Sequence, residues 1–367
     1  MRCEPAIQGA YGEFAKRALA AAYRDRIPVS GTVELTAACN LACGHCYIPR
    51  RAARGAGLNT GQWLGIMETL ADAGCLWIAM TGGEPLLRDD FEELYRHARS
   101  LGFLTTIMTN GTLIDERVAD LLHEVPPLVV EVSVYGDDAD TYELVTGDGG
   151  AFEAVIGGID RLLARDVRIA LKTTVTKANT AAVPGIERIA ADRGLRFRMD
   201  GLINSRLDGD RTPLSLRVEP EVIAELELAS ARRQAEMTEA RDRQRPAAME
   251  RTVFDCGAGW TTFNISWDGE LSPCVMARSP GVNLIESSFE AAWNGPILEA
   301  VSARVEGERE CDGCPVASLC STCAGWGCME EKDPQAIDVY LCAVAKARSQ
   351  KLSPRPVGAM LGKVTNG

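Results

Sequence analysis

The chain has 367 residues, 46% of them apolar and 25% charged, and a formal net charge of -12. That charge argues against a phosphate-backbone partner such as nucleic acid, and no apolar run reaches the roughly 18 residues of a membrane span. The start MRCEPAIQGAYGEF has neither a basic head nor an apolar centre, so it does not read as a signal peptide, and the protein is expected in the cytoplasm. An extension over 1–30 precedes the first strand, VELTA (33–37). TGQWLGIMETLADAG follows as a helix, with Trp63, Ile66, Met67 and Leu70 at helical spacing and Gly74 as its stop. The alternation then continues: CLWIAMT (75–81) before the helix DDFEELYRHARSLG, FLTTIMT (103–109) before DERVADLLHEV, and LVVEVSVY (128–135) before AFEAVIGGIDRLLAR. VRIALKTTV (167–175) precedes AAVPGIERIAADRG, and LRFRMDGLI (195–203) closes the series. Six strands alternating with helices predict an α/β fold over 31–203, a parallel sheet with right-handed crossovers curled into a partial (β/α)6 TIM-like barrel. Its site should lie at the carboxyl ends of the strands.

The texture changes over 204–252, a turn-rich stretch and then a charged segment, EVIAELELASARRQAEMTEARDRQRPAAMER, expected as a bridging helix with a thin apolar stripe. A cysteine-rich module is expected over 253–350, and a tail over 351–367. Of 13 cysteines, three sit at 39–46 and eight between 256 and 342. In a chain this long without an export signal, such clustering reads as metal ligation rather than disulfides. Cys75, inside AGCLWIAM, reads as a small buried hydrophobe. Cys3 is assigned nothing.

Cys39, Cys43 and Cys46 stand in ELTAACNLACGHCYIP with the spacing CxxxCxxC, directly after the first strand. Three thiolates on one tight loop can hold three corners of a cubic iron–sulfur cluster and leave the fourth iron open. A zinc loop is the competing reading. Zinc takes four ligands, and of three histidines only His45 is local. One βα unit later comes TGGEPLL, with Gly82, Gly83, Glu84 and Pro85. Two glycines permit close backbone approach to a ligand, and the carboxylate can accept hydrogen bonds from an amine. Together these segments resemble the radical S-adenosylmethionine (radical SAM) family. The resemblance implies that the open iron holds the amino and carboxylate groups of SAM, that reductive cleavage yields a 5′-deoxyadenosyl radical, and that Glu84 receives the SAM amino group. It also implies SAM contacts at other strand ends: Thr109 and Asn110 in MTNG, Ser133 in VSVYG, and Lys172 or Arg198 as a cation for the SAM carboxylate.

The later cysteines run Cys256-x12-Gly269-x4-Cys274, then Cys311-x2-Cys314-x5-Cys320-x2-Cys323-x4-Cys328, then Cys342. Eight thiols suffice for two sites of four, and metal–thiolate bonds would stabilise a module with little apolar core. The pattern resembles the SPASM extension of radical SAM peptide maturases, except that Ala324 stands where that pattern has a cysteine. The family's interleaving implies one auxiliary cluster on Cys256, Cys274, Cys323 and Cys328 and a second on Cys311, Cys314, Cys320 and Cys342. With the SAM-binding cluster, that makes three [4Fe-4S] clusters. Two structural zinc sites are the alternative.

The same resemblance implies an enzyme that modifies a ribosomally made peptide oxidatively, by crosslinking, thioether formation, decarboxylation or a similar step. Auxiliary clusters suit oxidation because they accept the electron that leaves the substrate. About 30 residues precede the first strand, too few for the fused leader-binding domain of many such maturases. The precursor peptide is therefore expected to come with a separate leader-recognition protein, and electrons from a flavodoxin- or ferredoxin-type donor. Sulfatase-maturing relatives place an aspartate where Val275 follows Cys274, which argues against that activity. The alternatives are a radical SAM dehydrogenase or decarboxylase acting on a sugar or cofactor precursor, and a zinc-stabilised scaffold.

Overall fold

A computed structural model describes residues 5–50, 52, 57–242, 252–254, 256–304, 311 and 313–352. Cys3, residues 243–251 of the charged segment and most of the 351–367 tail lie outside the described residues.

The chain opens on α1 (Pro5–Asp25), a helix within the expected extension. Then come β1 (Ser30–Thr36), α2 (Thr60–Asp72), β2 (Trp77–Gly82), α3 (Phe91–Ser100), β3 (Leu104–Thr109) and α4 (Glu116–Glu124). β4 (Val129–Ser133), α5 (Ala139–Thr146), α6 (Ala151–Leu163), β5 (Ile169–Thr174), α7 (Val183–Asp192) and β6 (Arg196–Asp200) complete the alternation. Each of the six strands pairs in parallel with its sequence neighbour, so the expected α/β partial barrel forms.

Strand alternation divides the two faces. Val33, Leu35, Ile78, Met80, Ile107, Val130, Val132 and Leu171 are buried in one core. Trp63, Met67 and Leu70 of α2 and Leu94 of α3 pack into the same core. Each such aliphatic burial contributes roughly 1.5–3 kcal/mol. The alternate positions, among them Glu34, Glu131, Ser133 and Lys172, fall on the opposite face, the barrel lumen. Capping fixes where the helices start: Asn59 and Gln62 form a capping box on α2, and Asp115 and Asp138 cap α4 and α5.

The sheet does not end at β1. β7 (Thr262–Ile265) pairs parallel to the free edge of β1, and β8 (Glu270–Ser272) and β9 (Val282–Asn283) extend it antiparallel to nine strands. Part of the cysteine-rich region therefore completes the barrel sheet.

Compactness divides the chain into two interleaved units. The first comprises 1–217, 250–305 and 323–336, and includes the helix Ala324–Glu330. The second comprises 218–249, 306–322 and 337–367. In the second unit the expected single charged helix is two, α8 (Pro220–Ala229) and α9 (Ala231–Asp242), parted at Ser230, whose backbone is extended (φ -83°, ψ 120°). α10 (Val339–Lys351) carries Arg348, which grips Glu227 of α8 in a fork at 2.6 and 2.7 Å and donates to Leu319 O at 2.8 Å. No helix among the described residues is long and apolar enough to cross a membrane.

Candidate functional site

The loop bearing Cys39, Cys43 and Cys46 leaves the carboxyl end of β1, and its backbone is held from several sides. Ala42 N and Gly44 N donate to Thr146 O (2.8 Å) and Val145 O (3.4 Å) in the last turn of α5. Arg50 donates to Ala42 O at 3.0 Å. Arg206, itself tied to Asp210 at 3.0 Å, donates to Gly44 O at 3.3 Å and Ile48 O at 3.4 Å. Leu41 N points at the Cys39 sulfur, 3.4 Å away, and the Asn110 amide approaches it at 3.8 Å.

Burial pushes the Cys39, Cys43 and Cys46 thiols up, so without a bound cation the neutral form is favoured. Cationic irons would reverse that balance and keep the thiolates, as bound metals do. None of the twelve described cysteines is in a disulfide. Among the described residues no three Cys, His, Asp or Glu side chains close on one point as ligands of a single ion do. Three thiols on one loop are the donor set that a cubic cluster with one open iron takes. His45 within it is neutral, burial lowering its pKa to about 4.

The Gly-Gly-Glu turn after β2 packs onto this loop. Gly83 N donates to Thr36 O (2.7 Å) and Glu84 N to Ala38 O (2.8 Å). A Cβ at Gly82 would meet Thr36 O at 2.1 Å, and one at Gly83 would meet Ala38 O at 2.1 Å; Gly82 also has φ +136°. Both glycines let the turn pack directly on the backbone that leads from β1 into the cysteine loop. Glu84 is fully buried. Its carboxylate accepts from Asn110 N (2.7 Å), the Thr109 hydroxyl (2.8 Å) and Leu86 N (3.1 Å). Thr109 and Asn110 therefore hold Glu84, and the Asn110 amide also bonds Asn40 at 2.9 Å. Burial raises the Glu84 pKa to about 7 against the lowering effect of these bonds.

The other expected strand-end residues share the lumen face. Ser133 is buried at the end of β4. Lys172 Nζ lies 3.5 Å and the Arg198 guanidinium 3.4 Å from the same oxygen of Glu131, a residue the sequence reading had not singled out. Burial lowers the Lys172 pKa, opposed by Glu131 and more weakly by Glu84. Arg198 is 63% exposed and stands at the outer end of this group.

The eight later cysteines fall into two groups of four, one in each compact unit. In the first unit, burial raises the Cys274 pKa, with Cys323 and Cys256 adding to the rise. Cys328 is pushed up to about 11 by burial, then by Cys274 and Cys323. Cys323 precedes the helix Ala324–Glu330, and a Cβ at Gly325 would stand 3.3 Å from the Cys274 sulfur. Ala324, at the position where a cysteine was missing, is buried in the apolar cluster beneath. In the second unit, burial raises Cys342, with Cys320, Cys311 and Cys314 acting on it.

Sequence reading missed Arg206, Arg50, Glu131 and the buried Glu34, whose carboxylate takes the Tyr47 hydroxyl at 2.8 Å and Arg278 at 2.8 Å. Glu34 gave a signal, a carboxylate inside an otherwise apolar strand; the arginines sit in loops and gave none.

The model of the radical SAM superfamily matches residues 33–187, and that of an iron-sulfur cluster-binding domain, SPASM, matches 256–324. The chain is 28% identical over 350 residues to the PqqA peptide cyclase of Xanthomonas euvesicatoria pv. vesicatoria, covering 90% of this chain and 93% of that one. It is 25% identical over 330 residues to the AdoMet-dependent heme synthase of Methanosarcina barkeri, covering 83% and 95% respectively. Its fold is shared with Streptococcus suis SuiB, solved bound to the precursor peptide SuiA, with a TM-score of 0.70 and 18% identity over 90% of this chain and 80% of that one. With a radical SAM domain followed by an iron-sulfur cluster-binding SPASM domain, the chain belongs to the radical SAM superfamily, in the subgroup that carries a SPASM domain.

Proposed function

We propose that this enzyme uses SAM to modify a ribosomally made peptide oxidatively. The observation that carries the radical SAM part is the buried Glu84 carboxylate, locked by three donors against the cysteine loop. A carboxylate has about four lone-pair directions, so one remains for the SAM amino group. In this reading Cys39, Cys43 and Cys46 hold the SAM-binding cluster. Gly82 and Gly83 set the loop-to-turn spacing, and Thr109 and Asn110 orient Glu84. Ser133, Lys172 and Arg198 face the remaining polar groups of SAM, with Lys172 the better placed cation. When bound, the cluster supplies the electron that cleaves SAM to a radical able to abstract hydrogen.

Two auxiliary [4Fe-4S] clusters complete a set of three: one on Cys256, Cys274, Cys323 and Cys328, the other on Cys311, Cys314, Cys320 and Cys342. The division of these thiols between the compact units supports that assignment. The peptide substrate is supported by the likeness to the PqqA peptide cyclase along nearly the whole chain. A separate leader-recognition protein and a flavodoxin- or ferredoxin-type donor acting in the cytoplasm belong to the same reading. The likeness to a heme synthase supports a second reading, a small cofactor precursor as substrate.

The deciding experiment incubates the reconstituted enzyme anaerobically with SAM, reductant and a short peptide encoded beside its gene. A peptide two hydrogens lighter indicates a crosslink, and one lacking a carboxyl group indicates decarboxylation. An unmodified peptide, together with conversion of a tetrapyrrole precursor, would replace the first reading by the second.

A further inference from the structure

A buried chain of hydrogen bonds joins two of the cysteine loops within the first compact unit. Tyr47 directly follows Cys46, and its hydroxyl donates to Glu34 Oε1 at 2.8 Å. Glu34 has no exposed surface. The terminal nitrogen of Arg278 lies 2.8 Å from both Glu34 oxygens. Only the bond to Oε1 is well aligned, which leaves Oε2 with no aligned donor. Arg278 Nε donates back to Val275 O at 2.8 Å, beside Cys274, and the guanidinium lies 5.8 Å from the Trp267 ring.

A carboxylate at zero exposure is costly unless paired, so Glu34 draws Arg278 across from the Cys274 loop. The pair also sets two opposite charges between thiols that, on the reading proposed above, hold two different clusters. Charges and hydrogen bonds around cluster sulfurs set reduction potential, and screening is weak in a buried setting.

We propose that Glu34 and Arg278 are positioning residues that couple the SAM-binding cluster to the first auxiliary cluster. Tyr47–Glu34–Arg278 fixes the two cysteine loops to one another, and the opposed charges poise both clusters. The first auxiliary cluster, held by Cys256, Cys274, Cys323 and Cys328, would supply an acceptor for the electron that leaves an oxidised substrate, and the Glu34–Arg278 pair would tune its potential from beside the Cys274 loop.

The test uses the full chain, reconstituted anaerobically, as wild type, Glu34→Gln, Arg278→Gln and the double variant. Iron content and formation of 5′-deoxyadenosine from SAM and dithionite are measured first. If wild type has neither, the cluster reading fails, independently of this inference. Where wild type has both, an EPR-monitored redox titration is the readout, the barrel cluster being recognised by its response to SAM. At the wild-type midpoint, Glu34→Gln is expected to raise the reduced-to-oxidised ratio of the barrel signal and of one auxiliary signal about ten-fold, near 59 mV for one electron. Arg278→Gln is expected to lower both by a similar factor, and the double variant to return them to within about three-fold. Shifts of the same sign, or none at full iron content, would overturn the proposal, because a purely structural pair has no reason to move potentials in opposite directions. If the charge variants do not fold, Tyr47→Phe serves. It removes one donor from the Glu34 carboxylate and no formal charge, and is expected to lower the reduced-to-oxidised ratio of the barrel signal at the wild-type midpoint at least three-fold. An unchanged ratio would equally overturn it.

Discussion

Replacing Glu84 by Gln tests the account at one oxygen atom. The native carboxylate receives three donors at 2.7, 2.8 and 3.1 Å, and its remaining lone-pair direction is the one assigned to the SAM amino group. Glutamine keeps the shape and loses the charge. A charge-assisted hydrogen bond contributes roughly 1.5–3 kcal/mol, so SAM affinity should fall by about one to two decades. The clusters should still assemble, since cysteines alone hold them. A pH series adds a second signature. The Glu84 pKa is raised by burial to about 7, so the ionised form that accepts the SAM amino N–H grows in as pH rises through about 7. Wild-type SAM affinity should therefore rise through that window, and the Gln variant should show no such step. Stability has the opposite sign. The folded pKa lies above the unfolded one, so the folded state holds the extra proton, and the protein without SAM should lose stability between about pH 4.5 and 7, by up to about 3 kcal/mol. The competing role is capping, which the structure confines to the short turn Pro85–Leu87 through Leu86 N. Glu84 does not cap helix α3: Asp90 holds the N-cap position, and its carboxylate is taken up by Arg88 and Thr60 rather than by the helix backbone. Cap loss alone costs about 1 kcal/mol. Anaerobic equilibrium dialysis with SAM and a melting curve on the same preparation separate the two. Unchanged affinity at every pH with a lowered melting point would refute the ligand role.

Replacing Cys39, Cys43 and Cys46 together by Ala should lower iron from about 12 to about 8 per chain and abolish 5′-deoxyadenosine formation; full iron with continued SAM cleavage would sink the assignment of the loop. Cys342→Ala should remove one auxiliary cluster by EPR while uncoupled SAM cleavage continues and peptide product falls sharply; undiminished product would deny that cluster a role. Arg348→Leu should destabilise the second unit by about 1.5–3 kcal/mol, because Glu227, at 4% side-chain exposure, loses its forked partner and keeps only the longer contact to Arg233 at 3.4 Å; an unfolding free energy within about 0.5 kcal/mol of wild type, as expected of a surface pair, would contradict this.

The barrel was legible because each strand and helix carries its own period, and because CxxxCxxC and GGEP fall at the ends of the first two strands. The rest was hidden for physical reasons. Thr262–Ile265 is four residues long, too short for periodicity to reveal that it pairs with β1 across more than 200 positions. Thr109 and Asn110 could be marked as polar strand-end residues, but that they act on Glu84 follows from a 25- and a 26-residue separation closed only by the fold. The shared grip of Lys172 and Arg198 on Glu131 depends on three adjacent strands in register. Arg206 reaches the cysteine loop over a separation of 162 residues, which no local pattern announces. The unexpected Ala324 is explained by packing: its methyl group lies in an apolar cluster with Val253, Phe254 and Ala277.

On the proposed reading the barrel loop holds a SAM-cleaving iron–sulfur cluster. Its most direct test is a paired measurement on wild-type protein purified without oxygen: iron, zinc and acid-labile sulfide per chain, and 5′-deoxyadenosine released on adding SAM and dithionite. The account predicts a brown protein with about 12 irons and a matching amount of sulfide, and 5′-deoxyadenosine that accumulates with time. A colourless protein carrying zinc, no sulfide and no 5′-deoxyadenosine would contradict it.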